Sequence, residues 1–269
     1  NVDFFTLKTD RNWLRDTGPQ FVKNEKNETV LINFKFNAWA KYDNYKLDAK
    51  IPNMISNRLK LDLIKAEHQN KEVVLEGGSI DYNGLCTIIT TEECLMDNEI
   101  QVRNKNFSKK DYEDVLKKYL GATNVIWLNK GITGDDTHGH VDDITRFVNP
   151  NTVVTVMESH PNDHNYIPLM VNREILEGAK LEDGSHLEIV ELPMPSPVIF
   201  KGERLPASYA NFYISNYAVL VPTFNDPNDR IALGILSELF TDRPVIGIHA
   251  VDLVWGLGTL HCLTHEQVF

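Results

Sequence analysis

One pattern recurs four times along this chain of 269 residues and limits the folds that it can adopt. Each time, two strands rich in β-branched residues flank a short polar turn, a stretch with helical periodicity follows, and a short apolar strand comes last. The four second strands are separated by 58, 65 and 66 residues, measured between Val30, Ile88, Val153 and Val219. Such a period, with one ββαβ unit each time, predicts a pseudosymmetric α/β propeller and not two unlike domains.

The predicted turns and the spacing of the apolar residues give bounds for the units. We expect one domain over residues 1–269, with repeats at roughly 20–76, 77–130, 140–192 and 207–250. The helices are predicted at 51–65, 109–120, 167–179 and 229–240, with Ser108 and Asn228 as N-caps. The closing strands are predicted at 73–75, 125–128, 187–190 and 245–248.

The two ends of the chain carry incomplete units. Residues 2–7 are expected to form a closing strand and residues 255–265 an opening hairpin, so that segments 1–15 and 251–269 share a fifth repeat. A closed ring of five units would need about 50–80 more residues at this period. Because the sequence begins at Asn1 without an initiator methionine, we expect the N-terminal part of the first repeat to be missing.

The charge balance restricts the partners of the chain. Its 38 acidic and 27 basic residues give a net charge of −11, which repels phosphate backbones, so we expect a small cation as ligand and no nucleic acid. No stretch approaches the roughly 18 apolar residues of a membrane span, so no membrane partner is expected. Three cysteines cannot form a closed disulfide framework, which indicates a reducing compartment such as the cytoplasm.

The candidate functional residues lie in polar, glycine-rich segments between the units. Equivalent junctions of a pseudosymmetric ring lie at the same end, so these segments are expected to converge on one mouth. Cys262 is the candidate nucleophile because two glycines and a histidine flank it at such a junction. The alternative is a small buried side chain, which is expected for Cys86 inside an apolar strand; Cys94 has no catalytic setting.

A histidine-rich run allows two kinds of chemistry. His140 and Asp142 are two residues apart, so on an extended strand their side chains would share a face and could transfer protons. Together with His138, the same residues could instead bind zinc. A solvated acidic loop is the third interpretation, and this segment alone does not decide among the three.

Two further junctions contain the acids Asp16 and Glu76. A lone aspartate in such a turn more often accepts hydrogen bonds from the backbone. Several carboxylates around one mouth with few bases nearby instead indicate a cationic ligand, because two carboxylates can hold a planar guanidinium. Trp13 could stack on that cation or fill the core.

Six motifs spread over the chain carry a family resemblance: WLRDTGP at 13–19, EGGS at 76–79, GDDTHGHVDD at 134–143, PASYANF at 206–212, FNDPN at 224–228 and WGLGTLHC at 255–262. With these motifs the chain resembles the agmatine deiminases, of the guanidine-modifying superfamily with the five-bladed α/β-propeller (pentein) fold. Bacterial peptidylarginine deiminases are more distant relatives. The chain departs from the pattern at Arg11, where the family often has an acid.

The resemblance implies hydrolysis of agmatine, a small cationic guanidine, to N-carbamoylputrescine and ammonia, a step of putrescine biosynthesis. Cys262 would attack the guanidinium carbon through an S-alkylthiouronium intermediate, while Asp16 and Asp142 hold the guanidinium nitrogens. Glu76 would orient His140, which would donate a proton to the departing ammonia and then activate water.

The resemblance also implies how the rest of the substrate is bound. Trp13 and Asp136 would contact its chain and its distal ammonium, and Gly258 would let the backbone approach the reacting centre. Neither a cofactor nor a metal is needed, which favours a structural role for His138. The resemblance also allows a homodimer.

Three alternatives to agmatine hydrolysis stay open at this point. The chain could deiminate peptidyl-arginine or another guanidine. It could be a metal-dependent hydrolase that uses His138, His140 and Asp142. It could also be an inactive binding member of the same fold.

Overall fold

The computed structural model describes residues 2–268, and these residues form four three-stranded sheets of one design. The strands, in chain order, are β1 (Gln20–Lys23), β2 (Thr29–Asn33), β3 (Leu63–Lys65), β4 (Glu67–His68), β5 (Lys71–Glu72), β6 (Asp81–Tyr82), β7 (Thr87–Thr91), β8 (Asn124–Leu128), β9 (Thr145–Phe147), β10 (Thr152–Met157), β11 (Glu188–Pro193), β12 (Ile199–Phe200), β13 (Glu203–Arg204), β14 (Tyr213–Ile214), β15 (Val219–Thr223) and β16 (Val245–His249). The helices are α1 (Leu14–Thr17), α2 (Ile51–Leu59), α3 (Glu92–Met96), α4 (Lys109–Leu120), α5 (Tyr166–Gly178), α6 (Pro227–Leu239) and α7 (Leu260–Leu263).

Each three-stranded sheet begins with an antiparallel hairpin and ends with a strand parallel to the middle one. In the second sheet, β6 pairs antiparallel with β7, and β8 runs parallel to β7. The other three sheets have the orders β1-β2-β3, β9-β10-β11 and β14-β15-β16. A parallel neighbour requires a crossover connection, and α2, α4, α5 and α6 provide it. The predicted α/β class is therefore confirmed, with four ββαβ units.

Helix α4 forms where the sequence predicts it. The Ser108 hydroxyl accepts a hydrogen bond from the Asp111 backbone N–H at 3.2 Å, and the Asp111 carboxylate accepts one from the Ser108 N–H at 2.8 Å. This capping box satisfies backbone donors that lack a partner within the helix. Tyr112 and Leu116 are buried one turn apart, and Gly121, at a φ of 74°, ends the helix.

Helix α6 begins slightly earlier than predicted. Its N-cap is Asp226 and not Asn228: the Asp226 carboxylate accepts a hydrogen bond from the Asn228 N–H at 2.8 Å. The Asp229 side chain in turn accepts one from the Asp226 N–H at 3.1 Å. Pro227 suits the first helical position because its missing N–H would have had no helical partner there.

The first unit differs most from the prediction. Helix α2 ends earlier than predicted, at Leu59, because Lys60 adopts a left-handed conformation with φ of 60°. The chain then turns directly into β3, which runs parallel to β2. The closing strand predicted at 73–75 is wrong, since that buried segment makes an isolated bridge between Val74 and Lys35.

Both predictions for the chain ends are also wrong. Residues 2–7 form no strand, and residues 255–265 form a 3₁₀ turn and helix α7 instead of a hairpin. A bidentate ion pair connects this C-terminal region to α1. Arg15 donates hydrogen bonds to both carboxylate oxygens of Glu266 at 2.6 and 2.7 Å, and its Nε donates to the His261 carbonyl at 3.3 Å.

The apolar core follows the order of the sheets. One buried cluster joins the second, third and fourth units and includes Ile89, Val154 and Val221. A second cluster joins the first and second units and includes Ile32 and Ile88. Among the helices that the structure describes, none combines the length and the apolar content needed to span a lipid bilayer.

A buried ion pair connects neighbouring units. Arg146 in β9 donates from Nε to Asp81 Oδ1 at 2.8 Å, and its Nη1 donates to the carbonyls of Ala210 and Phe212 at 3.2 and 2.9 Å. The other Asp81 oxygen accepts the Phe147 N–H at 2.6 Å. The third unit is thereby bonded both to the second unit and to the segment that leads into the fourth.

Replacing Arg146 with Met is expected to lower the free energy of unfolding by about 3–5 kcal/mol, because it leaves the Asp81 carboxylate buried without its ion-pair partner. Chemical denaturation measures this loss. Arg173→Met, which removes an arginine paired with acids on the surface, is the matched control and should cost much less. Equal losses in the two variants would contradict this account.

Candidate active site

Segments that lead into the first strands of the four units converge on helix α7. Asp16 precedes β1, Glu76 precedes β6, Asp142 precedes β9 and Asn211 precedes β14. All four side chains are buried, as is Cys262 in α7. The structure therefore brings together residues as far apart in sequence as Asp16 and Cys262.

His140 lies at the centre of these acids. Its Nδ1 is 3.9 Å from Asp16 Oδ1 and 4.0 Å from Asp142 Oδ1, and its Nε2 is 3.8 Å from Glu76 Oε2. These distances are longer than hydrogen bonds. Within residues 2–268, His140 Nε2 and Asp142 Oδ1 are buried polar atoms without a hydrogen-bond partner. Leaving such atoms unpaired costs free energy, so they indicate a place adapted to a polar ligand.

The Cys262 sulfur lies beside the same acids. It is 3.8 Å from Asp142 Oδ2 and accepts a hydrogen bond from the Asn211 amide at 3.2 Å. Asn211 Oδ1 also accepts the Thr259 hydroxyl at 2.7 Å, which ties α7 to the segment before β14. Asp142 Oδ2 is in addition 2.7 Å from His261 Nδ1. The thiol and the carboxylate are thus held in place by separate neighbours.

A glycine provides the space between the central side chains. A Cβ on Gly78 would lie 2.6 Å from His140 Nδ1, 2.9 Å from Asp16 Oδ1 and 3.1 Å from Asp142 Oδ2. The Gly78 N–H donates to Asp16 Oδ1 at 2.9 Å, and Trp39 Nε1 donates to the other oxygen at 2.8 Å. Gly78 therefore orients one carboxylate while leaving room for the imidazole.

The predicted strand that would place His140 and Asp142 on one face is wrong. Asp142 lies in a 3₁₀ turn, Val141–Asp143, and His140 precedes that turn. The turn still brings the two side chains within 4.0 Å of each other.

The three predicted zinc ligands do not come together. His138 turns away at a φ of 65°, and its Nε2 lies 2.8 Å from Asp97 Oδ2. In the described part of the chain, the group that could hold a metal ion is a different one: Glu76, Cys94 and His140, whose ligand atoms all lie within 4.8 Å of one another. The alternative in which His138, His140 and Asp142 bind zinc is therefore wrong.

The remaining predicted substrate contacts line or border one cavity of about 80 Å³ that also reaches Asp16 and Cys262. Trp13 lines this cavity, and its indole packs so closely on Gly258 that a Cβ there would lie 2.9 Å from the ring. Asp136 lines it as well, with Tyr42 donating to its Oδ2 at 2.7 Å and Lys41 to its Oδ1.

A sequence profile of the Porphyromonas-type peptidyl-arginine deiminases matches residues 2–267. The chain belongs to this family. Together with the relatives named agmatine deiminase, this match confirms the resemblance predicted from the six motifs.

Relatives of this deiminase-family chain are similar along nearly all of it. A putative agmatine deiminase from Legionella pneumophila is 35% identical over 99% of this chain and 75% of its own length, and one from Latilactobacillus sakei is 32% identical over 99% and 77%. The solved agmatine deiminase of Enterococcus faecalis is 30% identical, with a TM-score of 0.90 over 97% of this chain and 76% of its own. The C. jejuni agmatine deiminase with substrate bound is 31% identical, with a TM-score of 0.89 over 99% and 76%.

Burial dominates the electrostatics of this deiminase-family site. It raises the pKa of Asp16, Asp142 and the Cys262 thiol, and for the thiol the neighbouring acids add to the effect. Burial alone would lower the pKa of His140, but Asp16, Cys94 and Glu76 outweigh it and hold that pKa well above its ordinary value. Without a ligand, the site therefore favours a protonated imidazole and a neutral thiol.

Glu76 has the opposite shift. Burial opposes ionisation of Glu76, yet the Arg103 guanidinium, which donates from Nε to Glu76 Oε1 at 3.0 Å, and His140 lower its pKa to about 2. Arg103 also donates to the Gln101 carbonyl at 2.9 Å. It is buried and was not predicted, because nothing in its local sequence signals a partner 27 residues away.

Two further residues near the site, Asn211 and Cys94, were not predicted as site residues, and Cys86 is not buried as expected. Asn211 lies inside the PASYANF motif, which was the available signal for it. The sequence gives Cys94 no catalytic setting, yet it is buried beside His140 and Glu76. Cys86 was expected inside an apolar strand, but it is exposed, with a φ of 95°, just before β7.

Gly78→Ala is expected to lower kcat/KM for a guanidine substrate about 100-fold, because the new methyl group must displace His140 or an acid by a few tenths of an ångström or more. Steady-state kinetics measures this. Gly178→Ala is the matched control, since a Cβ there meets no atom within 4 Å and activity should not change. A Gly78→Ala enzyme with ordinary activity would show that the site has more room than described here.

The lowered pKa of Glu76 predicts a pH-dependent contribution to stability. The folded pKa of about 2 lies below the ordinary 4.5, so the contribution is present above pH 4.5 and is lost as the pH falls towards 2. The difference in unfolding free energy between wild type and Glu76→Gln should therefore shrink by roughly 1 kcal/mol from pH 6 to pH 3.5. Urea unfolding at a series of pH values measures it, and a difference that stays constant would refute the prediction.

Proposed function

We propose that this chain is a hydrolase that deiminates agmatine to N-carbamoylputrescine and ammonia through a covalent intermediate on Cys262. The observation that carries the proposal is the pair of buried carboxylates, Asp16 and Asp142, beside the thiol. Within residues 2–268, neither carboxylate is bonded to an arginine of the chain, and Asp142 Oδ1 has no hydrogen-bond partner. The relatives named agmatine deiminase support the choice of substrate.

Asp16 and Asp142 are suited to hold a guanidinium group. Each carboxylate can accept two hydrogen bonds from its planar fork of N–H donors, which fixes the orientation of the carbon between them. The incoming cation also offsets the charge of the acids around Cys262. We therefore propose that bound substrate lowers the pKa of the thiol and produces the thiolate where it is needed.

In the first chemical step, the Cys262 sulfur forms a bond to the guanidinium carbon. The bond from that carbon to one terminal nitrogen then breaks, and ammonia leaves with a proton from His140. The raised pKa of His140 supports this role, because the imidazolium that donates the proton is the form that the surrounding acids favour. The S-alkylthiouronium group remains on Cys262.

In the second step, water replaces the sulfur. His140, now neutral, removes a proton from the water as its oxygen bonds to the same carbon. The carbon–sulfur bond then breaks, which releases the carbamoyl product and restores Cys262. Glu76, held ionised by Arg103, keeps a negative charge 3.8 Å from His140 Nε2 through both steps.

The distal part of agmatine would occupy the outer part of the same cavity. Trp13 would cover the methylene chain, and Asp136 would face the distal ammonium. Gly258 contributes indirectly, because its missing side chain allows Trp13 to lie against α7.

We also propose that the four ββαβ units surround a pseudo-fivefold axis as a single deiminase domain. The repeats are those at roughly 20–76, 77–130, 140–192 and 207–250. The equivalent placement of Asp16, Glu76, Asp142 and Asn211, each before the first strand of its unit, supports this arrangement.

Peptidyl-arginine is a second candidate substrate, which the name of the matching family supports. Both substrates carry the same guanidinium group, so the reaction steps would be identical. Comparing kcat/KM for agmatine, free arginine and a peptide with a C-terminal arginine separates the candidates. We expect the highest value for agmatine.

Cys262→Ala is expected to lower ammonia release from agmatine by at least about 10³-fold, because it removes the nucleophile. Cys86→Ala is the matched control: it changes an exposed cysteine outside the site and should retain full activity. Wild-type activity is expected to survive dialysis against a chelator. Retained activity in Cys262→Ala would disprove the covalent route, and loss of activity with the chelator would favour a metal hydrolase.

A further inference from the structure

The acid at the outer end of the cavity is already paired with a cationic side chain of the protein. Asp136 accepts hydrogen bonds at both carboxylate oxygens, from Tyr42 at Oδ2 and from the Lys41 ammonium at Oδ1. Its side chain is 16% exposed, whereas that of Lys41 is 41% exposed. The ammonium thus reaches Asp136 from the solvent side.

The other charged group at this end does not compete for Asp136. The Arg11 guanidinium donates to the backbone carbonyl and the side-chain oxygen of Asn44 at 2.6 and 2.8 Å, and it lies 4.3 Å from the centre of the Tyr42 ring. Among the residues that line the cavity, the acids are Asp16 and Asp136. A cationic group at the far end of a ligand bound through Asp16 would therefore meet Asp136.

The position of Lys41 is built into the fold. The Gln101 amide donates hydrogen bonds to the carbonyls of both Trp39 and Asp136, at 3.0 and 3.1 Å. It thereby ties the segment that carries Lys41 to the segment that carries Asp136. Trp39 is itself held by its bond to Asp16.

We propose that Lys41 is a specificity-determining residue that competes with the distal ammonium of the substrate for Asp136. This inference rests on the proposed function and deepens it. To bind agmatine with both ends engaged, the enzyme must release Lys41 from Asp136, whereas a guanidine without a distal charge leaves the Lys41–Asp136 pair intact. Lys41 therefore reduces the preference of the enzyme for dicationic guanidines.

Displacing the Lys41 ammonium from Asp136 costs little free energy. A half-exposed lysine pair is weak, since water screens the charges and the long side chain loses freedom in the pair. The released ammonium can be hydrated at once, while Tyr42 keeps its bond to Asp136. A pair of this kind should weaken agmatine binding by roughly fivefold.

The test compares agmatine with n-butylguanidine, which has the same chain length and no distal ammonium. Lys41→Met is expected to lower KM for agmatine roughly fivefold, with kcat unchanged, and to leave KM for butylguanidine within about twofold. Lys41→Arg keeps the cation and should behave like wild type. Lys109→Met is the matched control, because it removes an equally exposed lysine paired with Glu92 away from the cavity.

Binding to enzyme that lacks its nucleophile gives an independent readout. Titration calorimetry should show that Cys262→Ala/Lys41→Met binds agmatine roughly fivefold more tightly than Cys262→Ala does. The affinity for butylguanidine should be the same in both variants. An unchanged or weakened agmatine affinity after Lys41→Met, or an equal gain for both guanidines, would overturn the inference. If the wild-type enzyme releases no ammonia from agmatine, the proposed function is wrong. The calorimetric comparison would then be the measurement that tests the role of Lys41. Failure of both guanidines to bind would overturn both.

Discussion

Burying a carboxylate costs free energy unless it has a charged or hydrogen-bonding partner, and the arrangement of this molecule depends on that constraint. The buried acids Glu76 and Asp81 are paired with Arg103 and Arg146, and the partly exposed Glu266 is paired with Arg15. Asp16 and Asp142 are instead held by an indole, a backbone N–H and an imidazole. The buried arginines Arg15, Arg103 and Arg146 therefore pair with other acids, and within residues 2–268 the two acids beside the thiol have no arginine partner.

The repeated unit explains how so many charged groups reach one place. In each unit the segment before the first strand contains at most a single short helical turn, and it carries an acid or an amide to the end of its sheet. The crossover helices and the apolar clusters hold the sheets, and the polar segments only need to meet at their ends. Stability and chemistry are consequently assigned to different parts of the same repeat.

The sequence predicted the features that depend on neighbouring residues. Hairpins and helices followed from periodicity, and Ser108 followed from its cap. The prediction failed where an apolar segment is buried but does not pair with the strands of the sheet. Segment 73–75 is buried and lies outside the first sheet, and the more exposed β3 is the closing strand. Cys86 differs from the prediction because its own backbone has a φ of 95° just before β7, and its side chain is exposed.

For the site, motifs located the junction residues, but their partners came from contacts that no local pattern records. Arg103 acts on Glu76 across 27 residues, and Lys41 on Asp136 across 95. His138 shows the reverse case, since its neighbours in sequence allowed a zinc ligand as an alternative, whereas the backbone turns the side chain towards Asp97. The bidentate bond between Arg15 and Glu266 spans 251 residues, so on the ribosome it can close only after Glu266 has been added to the chain. Cys262 and Asp16 are likewise far apart in sequence, so the candidate site is assembled only after every described strand of the four sheets has been made.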